Sequence, residues 1–176
     1  MTPLHIASEN GHLNVVKFQV ESKANIEART SYKSTPLHFA SQNGHLHVVE
    51  FLVENKANIE AKQHQGATPL HIASEEGHLD VVEFLVEKKA DIDAKEEDDW
   101  TPLHFASEYG HLHVVKFLIE SKADIEARTR HRSTPIDLAQ SNRHHEIACL
   151  LQSGQPFSHR TSFLGRVPKR RRKTGD

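Results

Sequence analysis

At 176 residues the chain is long enough for one domain with a substantial core and too short for several large domains. Hydrophobic residues make up 36% and charged residues 26%, and no apolar run approaches the ~20 residues that cross a bilayer, so we expect no membrane span. The net charge of −2 divides into −8 on residues 1–152 and +6 on residues 153–176, because seven of the 22 basic residues but only one of the 24 acidic residues lie in the second part.

A tetrapeptide recurs along the chain at a spacing of 33 residues. Thr-Pro-Leu-His begins at Thr2, Thr35, Thr68 and Thr101, and Thr-Pro-Ile-Asp follows in step at Thr134. A period of this length without insertion is typical of a stacked repeat array. The units are expected at about residues 1–28, 29–61, 62–94, 95–127 and 128–152.

Each unit is predicted to be a helix, a tight turn, a second helix and a loop. The Thr can cap a helix whose first position is Pro, and in the second unit Gly44 is expected to end that helix. The second helix of this unit is predicted from about Leu46 to Glu54. Its apolar residues are too many for one narrow stripe, so we expect it to be buried between neighbouring units.

This pattern resembles the ankyrin repeat over residues 1 to about 152. The resemblance rests on TPLH, on Gly-His-Leu-x-Val-Val after the first helix, and on the closing Ala-Asn/Asp-Ile-x-Ala. It implies an all-α solenoid of stacked helix-turn-helix units with projecting hairpin loops, which binds protein partners through a concave face made of hairpin tips and first helices. It also implies that the TPLH histidine hydrogen-bonds backbone and Thr groups around the turn and ties adjacent loops together.

The chain departs from the family pattern in three places. Lys occupies the position after each second helix where many members have Gly, and only Gly66 survives of the family's hairpin glycines. If that backbone is left-handed, each Lys costs roughly 1 kcal/mol relative to Gly. The first unit has no preceding hairpin, and Gln19 replaces a Leu; it is either a frayed cap or, as we expect, the start of a fragment of a longer array. The lysines in question are Lys23, Lys56, Lys89 and Lys122.

The histidines are expected to serve the repeat rather than chemistry. Of the 15 histidines, eight fall at two repeating positions, whereas a catalytic or metal site is not normally copied through every unit. The stretch from His144 to Cys149 departs from a zinc helix because a Cys replaces the second His of HExxH. We therefore expect no enzyme, no metal, no cofactor and no small-molecule substrate.

Cys149 is the only cysteine, which excludes an internal disulfide framework. It is expected on the apolar side of the last helix as a buried, inert thiol. Together with an N-terminal stretch that lacks a signal-peptide pattern, this favours an intracellular location, in the cytoplasm or the nucleus, with secretion as an open alternative.

Partner binding is expected where the units differ, at the hairpin tips and the ends of the first helices. Trp100, Tyr109 and Tyr32 are candidate aromatic anchors, although Trp100 could instead cover the neighbouring hairpin. The acidic residues Glu96 to Asp99 either meet a basic partner or form a solvated tip. The predicted partner-binding residues are Tyr32, Lys33, His64, Gln65, Glu97, Asp98, Asp99, Trp100, Tyr109, Arg130 and Arg132.

The tail from residue 153 to 176 loses the repeat and is expected to be disordered. Its run Pro168 to Lys173 resembles a nuclear localisation signal, so an import receptor is a second candidate partner. Nonspecific nucleic-acid contact, proteolytic processing of a toxin-like fragment and an inert tail are the alternatives. The signal-like residues are Lys169, Arg170, Arg171, Arg172 and Lys173.

Overall fold

The computed structural model describes residues 1–153; the predicted import-type signal falls on residues 154–176, outside the described residues. The described residues form ten α-helices in five pairs and one 3-10 turn at His64–Gly66, and they contain no strand. No helix among them is both long and apolar enough to span a bilayer. The helices are α1 (Pro3–Glu9), α2 (Leu13–Glu21), α3 (Pro36–Gln42), α4 (Leu46–Glu54), α5 (Pro69–Glu76), α6 (Leu79–Glu87), α7 (Pro102–Glu108), α8 (Leu112–Glu120), α9 (Pro135–Ser141) and α10 (His145–Ser153).

The first helix of each pair begins and ends where the tetrapeptide and the glycine predict. Thr35 has extended backbone angles, with φ −96° and ψ 167°, and Pro36 occupies the first turn of α3, where a missing N–H leaves no carbonyl unpaired. After Asn43, Gly44 takes the left-handed conformation with φ 67°, which turns the chain out of the helix.

The second helices supply the outer layer of the core. In α4, whose predicted bounds are confirmed, Val48, Val49 and Leu52 are buried, whereas Phe51 and Val53 are half-buried. The first helices pack side by side in chain order, α1 on α3, α3 on α5 and so on, and the second helices do the same behind them. The apolar core therefore lies between two helical layers and runs continuously through all five units.

The projecting loops are tight turns joined to one another. In the second unit the Thr30 amide donates to the Ser34 carbonyl across the turn. Each tip then bonds the next: the amides of His64, Glu97 and Arg130 donate to the carbonyls of Tyr32, Gln65 and Asp98 at 2.7, 2.8 and 2.8 Å. These bonds fix the spacing of neighbouring tips, because each joins a donor of one unit to an acceptor of the unit before it at matching positions.

Several positions that suit glycine carry larger side chains. The four lysines after the second helices have φ between 68° and 73°, so the conditional expectation of a left-handed backbone there is confirmed. At the tips, Lys33, Asp99 and Arg132 also have positive φ. A non-glycine residue in this region costs roughly 1 kcal/mol, so the array carries a distributed strain at its loops.

The expectation of a buried Cys149 is wrong. Cys149 is exposed, while its neighbours Ile147, Ala148, Leu150 and Leu151 on α10 are buried. At about 100° per residue, position 149 lies on the side of the helix opposite to the centre of these four. Burial of the apolar face of α10 therefore leaves the Cys149 thiol exposed to solvent.

The first unit forms both of its helices. Its outer side is uncovered: Val15 is 43% exposed, whereas the equivalent Val48 and Val81 of the next units are 1% and 0% exposed. Phe18 on the same helix is 68% exposed. In later units a preceding pair of helices covers this side, which explains the difference.

Candidate functional site

The histidines of the tetrapeptides join the units. The Thr35 amide donates to His38 Nδ1 at 3.2 Å, and the Thr35 hydroxyl lies 2.8 Å from the same atom. Because a backbone N–H only donates, Nδ1 must accept, and the proton sits on Nε2, which donates to the Ala67 carbonyl of the next unit at 3.2 Å. His5, His71 and His104 repeat this arrangement with the carbonyls of Ser34, Trp100 and Ser133.

Burial keeps these imidazoles neutral. It lowers the pKa of His38 and of His71 to about 4, and it lowers the pKa of His5 and His104 in the same direction. In the last unit Asp137 takes the histidine's place and its carboxylate accepts from the Thr134 amide and hydroxyl. The role that the ankyrin resemblance implies for the TPLH histidine, bonds to Thr and backbone groups that tie adjacent loops, is confirmed.

A second set of histidines ties each unit back to the one before it. His45 Nε2 donates to the Glu9 carbonyl at 2.9 Å, and a Cβ placed on Gly11 would lie 2.7 Å from the His45 ring. Glycine at this turn is therefore required by a close approach as well as by its positive φ. Equivalent bonds join His78 to Gln42, His111 to Glu75 and His144 to Glu108. Residues 1–153 contain no group of three His, Cys, Asp or Glu placed to hold a metal ion.

The tips of the second and third units border a groove. Tyr32 is 72% exposed, and it lines a cavity of about 420 Å³ with Phe39, His64 and Gln65. Ser34 and Gln63 complete the lining, with the Ser34 hydroxyl donating to Gln63 Oε1 at 2.9 Å. The structure thus brings together three predicted site residues, Tyr32, His64 and Gln65. Lys33 lies at the exposed tip beside them.

Trp100 lies against the first helix of its own unit. Its ring centroid is 5.0 Å from that of Phe105 and 6.0 Å from that of His104, and the side chain is half-buried. The indole therefore packs on residues of its own first helix, and its role as an interface anchor stays a prediction.

The acidic tip of the fourth unit is paired with an arginine of the fifth. Arg130 Nη1 lies 3.0 Å from Asp98 Oδ1, and Arg130 Nη2 donates to the Glu97 carbonyl at 2.7 Å. Both ion-pair partners are largely exposed, so the pair contributes at most about 1 kcal/mol. Arg130 therefore contacts the acidic tip of the fourth unit. Arg132 is exposed at the tip of the fifth unit, and Asp99 is half-buried.

Tyr109 links the first helices of the third and fourth units. It is 53% exposed at the end of α7, and its hydroxyl interacts with the Glu75 carboxylate at the end of α5. Burial first, and then Glu75, raises the pKa of Tyr109; burial and the neighbouring Glu76 raise the pKa of Glu75. Asn142 of the fifth unit donates to Glu108 Oε2 at 2.9 Å. Carboxylates at the ends of α5 and α7 therefore form an acidic cluster on the first-helix layer.

Comparison with known families decides the class of the protein. The family model described as "Ankyrin repeats (3 copies)" matches residues 4–96 and again residues 92–160, most of the chain. The chain is an ankyrin-repeat protein. A search of curated proteins gave no match. Ankyrin repeats are generally protein–protein interaction modules and typically are not enzymes. The predicted fold class, an all-α solenoid, is confirmed.

In this ankyrin-repeat protein some groove residues were not identified from the sequence. Phe39 and Phe105 follow the tetrapeptide histidines, and their exposure on the first-helix layer could have been inferred from the Phe/Ile variation at that position. Glu75 is not among the predicted site residues, because its contact with Tyr109 joins residues 34 positions apart. Both sets of residues were missed because the contacts between units cannot be read from the sequence of a single unit.

Proposed function

We propose that this ankyrin-repeat protein binds a protein partner along the concave face formed by its tips and first helices. The observation that carries the proposal is the exposure of Tyr32 and Tyr109, at 72% and 53%, on positions that the repeat leaves free. The tetrapeptide histidines and leucines are buried, and each of these histidines hydrogen-bonds a carbonyl of the next unit, so they are committed to the frame. Aromatic side chains that stand exposed on a rigid frame are favoured anchors in interfaces.

The charge of this face favours a basic partner segment. Glu75, Glu76 and Glu108 lie at the ends of the first helices, and Glu97 and Asp98 lie at the tip of the fourth unit. Arg130 offsets part of the negative charge at the tip. Among the described residues it forms no ion pair with the carboxylates at the helix ends. Electrostatic complementarity with lysines and arginines would raise the rate of encounter and select against acidic partners.

The test compares two double variants of matched size in affinity capture from cell extract. Tyr32→Ala with Tyr109→Ala removes both anchors from the concave face. His47→Ala with His113→Ala removes two exposed rings from the second-helix layer. We expect the first variant to lose specific partners that the wild type and the second variant retain. Identical capture by all three proteins would contradict the concave-face proposal.

A second candidate function is a tail-directed protein in which the array is a carrier. The net charge of +6 on residues 153–176 and the run Lys169 to Lys173 favour it. Replacing the five basic residues of this run by Ala in a fluorescently tagged protein should abolish nuclear accumulation. Unchanged accumulation would exclude the import signal, whatever the concave face binds.

A further inference from the structure

The tips and first helices on the concave side border a surface that we call the inner groove. It runs between the tips and the first helices of the second to fourth units, where consecutive tips are bonded and α3, α5 and α7 pack in order. Its wall in the second and third units encloses about 420 Å³. Its aromatic and charged part is defined by Glu75, Glu76, Trp100, Phe105, Glu108 and Tyr109.

The inner groove combines aromatic rings with carboxylates. Trp100 and Phe105 form one wall with ring centroids 5.0 Å apart, and Tyr109 is exposed beside Glu75 and Glu76. Within residues 1–153, Glu75 and Glu76 make no ion pair with a basic side chain. Rings beside carboxylates suit the guanidinium group, which stacks on a ring face and donates to a carboxylate at the same time.

The same chain supplies a segment of the complementary charge. Residues 154–176 contain seven basic residues and one acidic residue, and the run Lys169 to Lys173 begins 16 positions after Ser153 ends α10. Sixteen residues can span up to about 50 Å. Neighbouring helices pack about 10 Å apart, so the distance from the fifth unit to the third is about 20 Å along the stack. The run can therefore reach the inner groove of its own chain.

We propose that the C-terminal segment, residues 154–176, docks in the inner groove of the same molecule, with the run Lys169 to Lys173 against Glu75, Glu76 and Glu108. The inference rests on the proposed function in one respect, that the same face is the binding face, but it needs no partner protein. A docked segment excludes a basic partner from the groove and withholds the basic run from an import receptor. A basic partner that binds the groove would then expose the basic run, and an import receptor that binds the run would expose the groove. Each partner would therefore favour binding of the other.

The experiment measures the distance between tail and groove in the full chain. Trp100 is the only tryptophan and serves as the fluorescence donor. The exposed Cys149 is replaced by Ser, and Thr174→Cys is labelled with a dansyl acceptor. We expect strong energy transfer at low salt that decreases with added salt, because screening weakens contacts between exposed charges.

Two triple variants of equal charge separate docking from general attraction. Glu75→Gln, Glu76→Gln and Glu108→Gln keep a side-chain oxygen near Tyr109 and an acceptor for Asn142 but remove the charge from the groove. Glu54→Gln, Glu87→Gln and Glu120→Gln remove the same charge from exposed ends of second helices. The groove variant should lower the docked-to-undocked ratio by roughly tenfold, and the control should leave it unchanged.

Equal transfer in the two variants would overturn the proposal. Transfer that decreases when labelled protein is mixed with excess unlabelled protein would also overturn it, because the segment would then bind a second copy. Partner capture that depends on Tyr32 and Tyr109, together with equal transfer in the two variants, would support the proposed function and reject self-docking. Energy transfer that only the groove variant lowers, without partner capture that depends on Tyr32 and Tyr109, would support self-docking and reject the proposed function.

Discussion

The buried TPLH histidines should make the array sensitive to mild acid. Lowering the pH from 7 to 5 favours protonation of His38 Nδ1, an atom that already accepts from the Thr35 amide. A proton there would face an N–H donor, and the resulting charge would be buried, since the pKa of His38 is lowered to about 4 by burial. The folded chain therefore resists a proton that the unfolded chain accepts freely.

The magnitude follows from the difference in pKa between the folded and unfolded chains. His38 and His71 have pKa values of about 4 when folded, against 6.5 for a free histidine. Their stabilisation is complete above pH 6.5 and is lost as the pH falls from 6.5 towards 4. At pH 5 the free energy of unfolding should be lower than at pH 7 by about 2 kcal/mol for each histidine, or about 4 kcal/mol for the two. This is a large part of a typical domain stability of about 5–15 kcal/mol.

Urea denaturation followed by circular dichroism at pH 7, 6 and 5 measures this loss. Imidazole ¹⁵N spectra over the same range should show both histidines neutral, with the proton on Nε2, for as long as the chain is folded. A matched control, His47→Gln with His113→Gln, removes two exposed histidines and keeps His38 and His71, so the loss of stability that these two cause should persist. Equal unfolding free energies at pH 7 and pH 5 would refute the reasoning, as would protonation of His38 at pH 6 in the folded chain.

Three further predictions concern the turns and the thiol. Gly44→Ala should destabilise the fold by about 1–3 kcal/mol in urea denaturation, because the new Cβ would lie 2.6 Å from His78 Nδ1 at a φ of 67°; a neutral result would show that the turn can relax. Lys89→Gly, at a φ of 71°, should raise the free energy of unfolding by up to about 1 kcal/mol, and a loss of stability would show that the Lys backbone is unstrained. Cys149 should react with a thiol reagent in native buffer at the rate of a small-molecule thiol, whereas a reaction that requires urea would mean that it is buried.

The repeat made most of the helices predictable, because the same signals occur in every unit. The bounds Leu46–Glu54 follow from a glycine turn on one side and the change to polar residues on the other. Four copies of the pattern in register remove the ambiguity that a single short apolar run would have. The roles of the tetrapeptide histidines also followed, from the family resemblance, since the bonds that they make repeat with the sequence.

Contacts made only once were not predictable in the same way. Trp100 was assigned to a projecting tip, but its ring turns inward to Phe105, and the tip sequence alone does not encode that side-chain direction. Cys149 was placed on the apolar face of α10 because the polar and apolar residues of this last unit follow the repeat less closely. The contact between Tyr109 and Glu75 depends on how two units stack, which is a property of the array rather than of either unit.

The bonds between units have a consequence for how such a chain can grow. The bonds between units made by the repeated histidines join positions 29 apart in the forward direction or 36 apart in the backward direction, and the backbone bonds between tips join positions 32 apart. A duplication of 33 residues within the second to fourth units would therefore recreate these bonds at the new junction. Gene duplication could lengthen this protein one whole unit at a time while each intermediate length stays folded, and the residues at the tips would then be free to diverge.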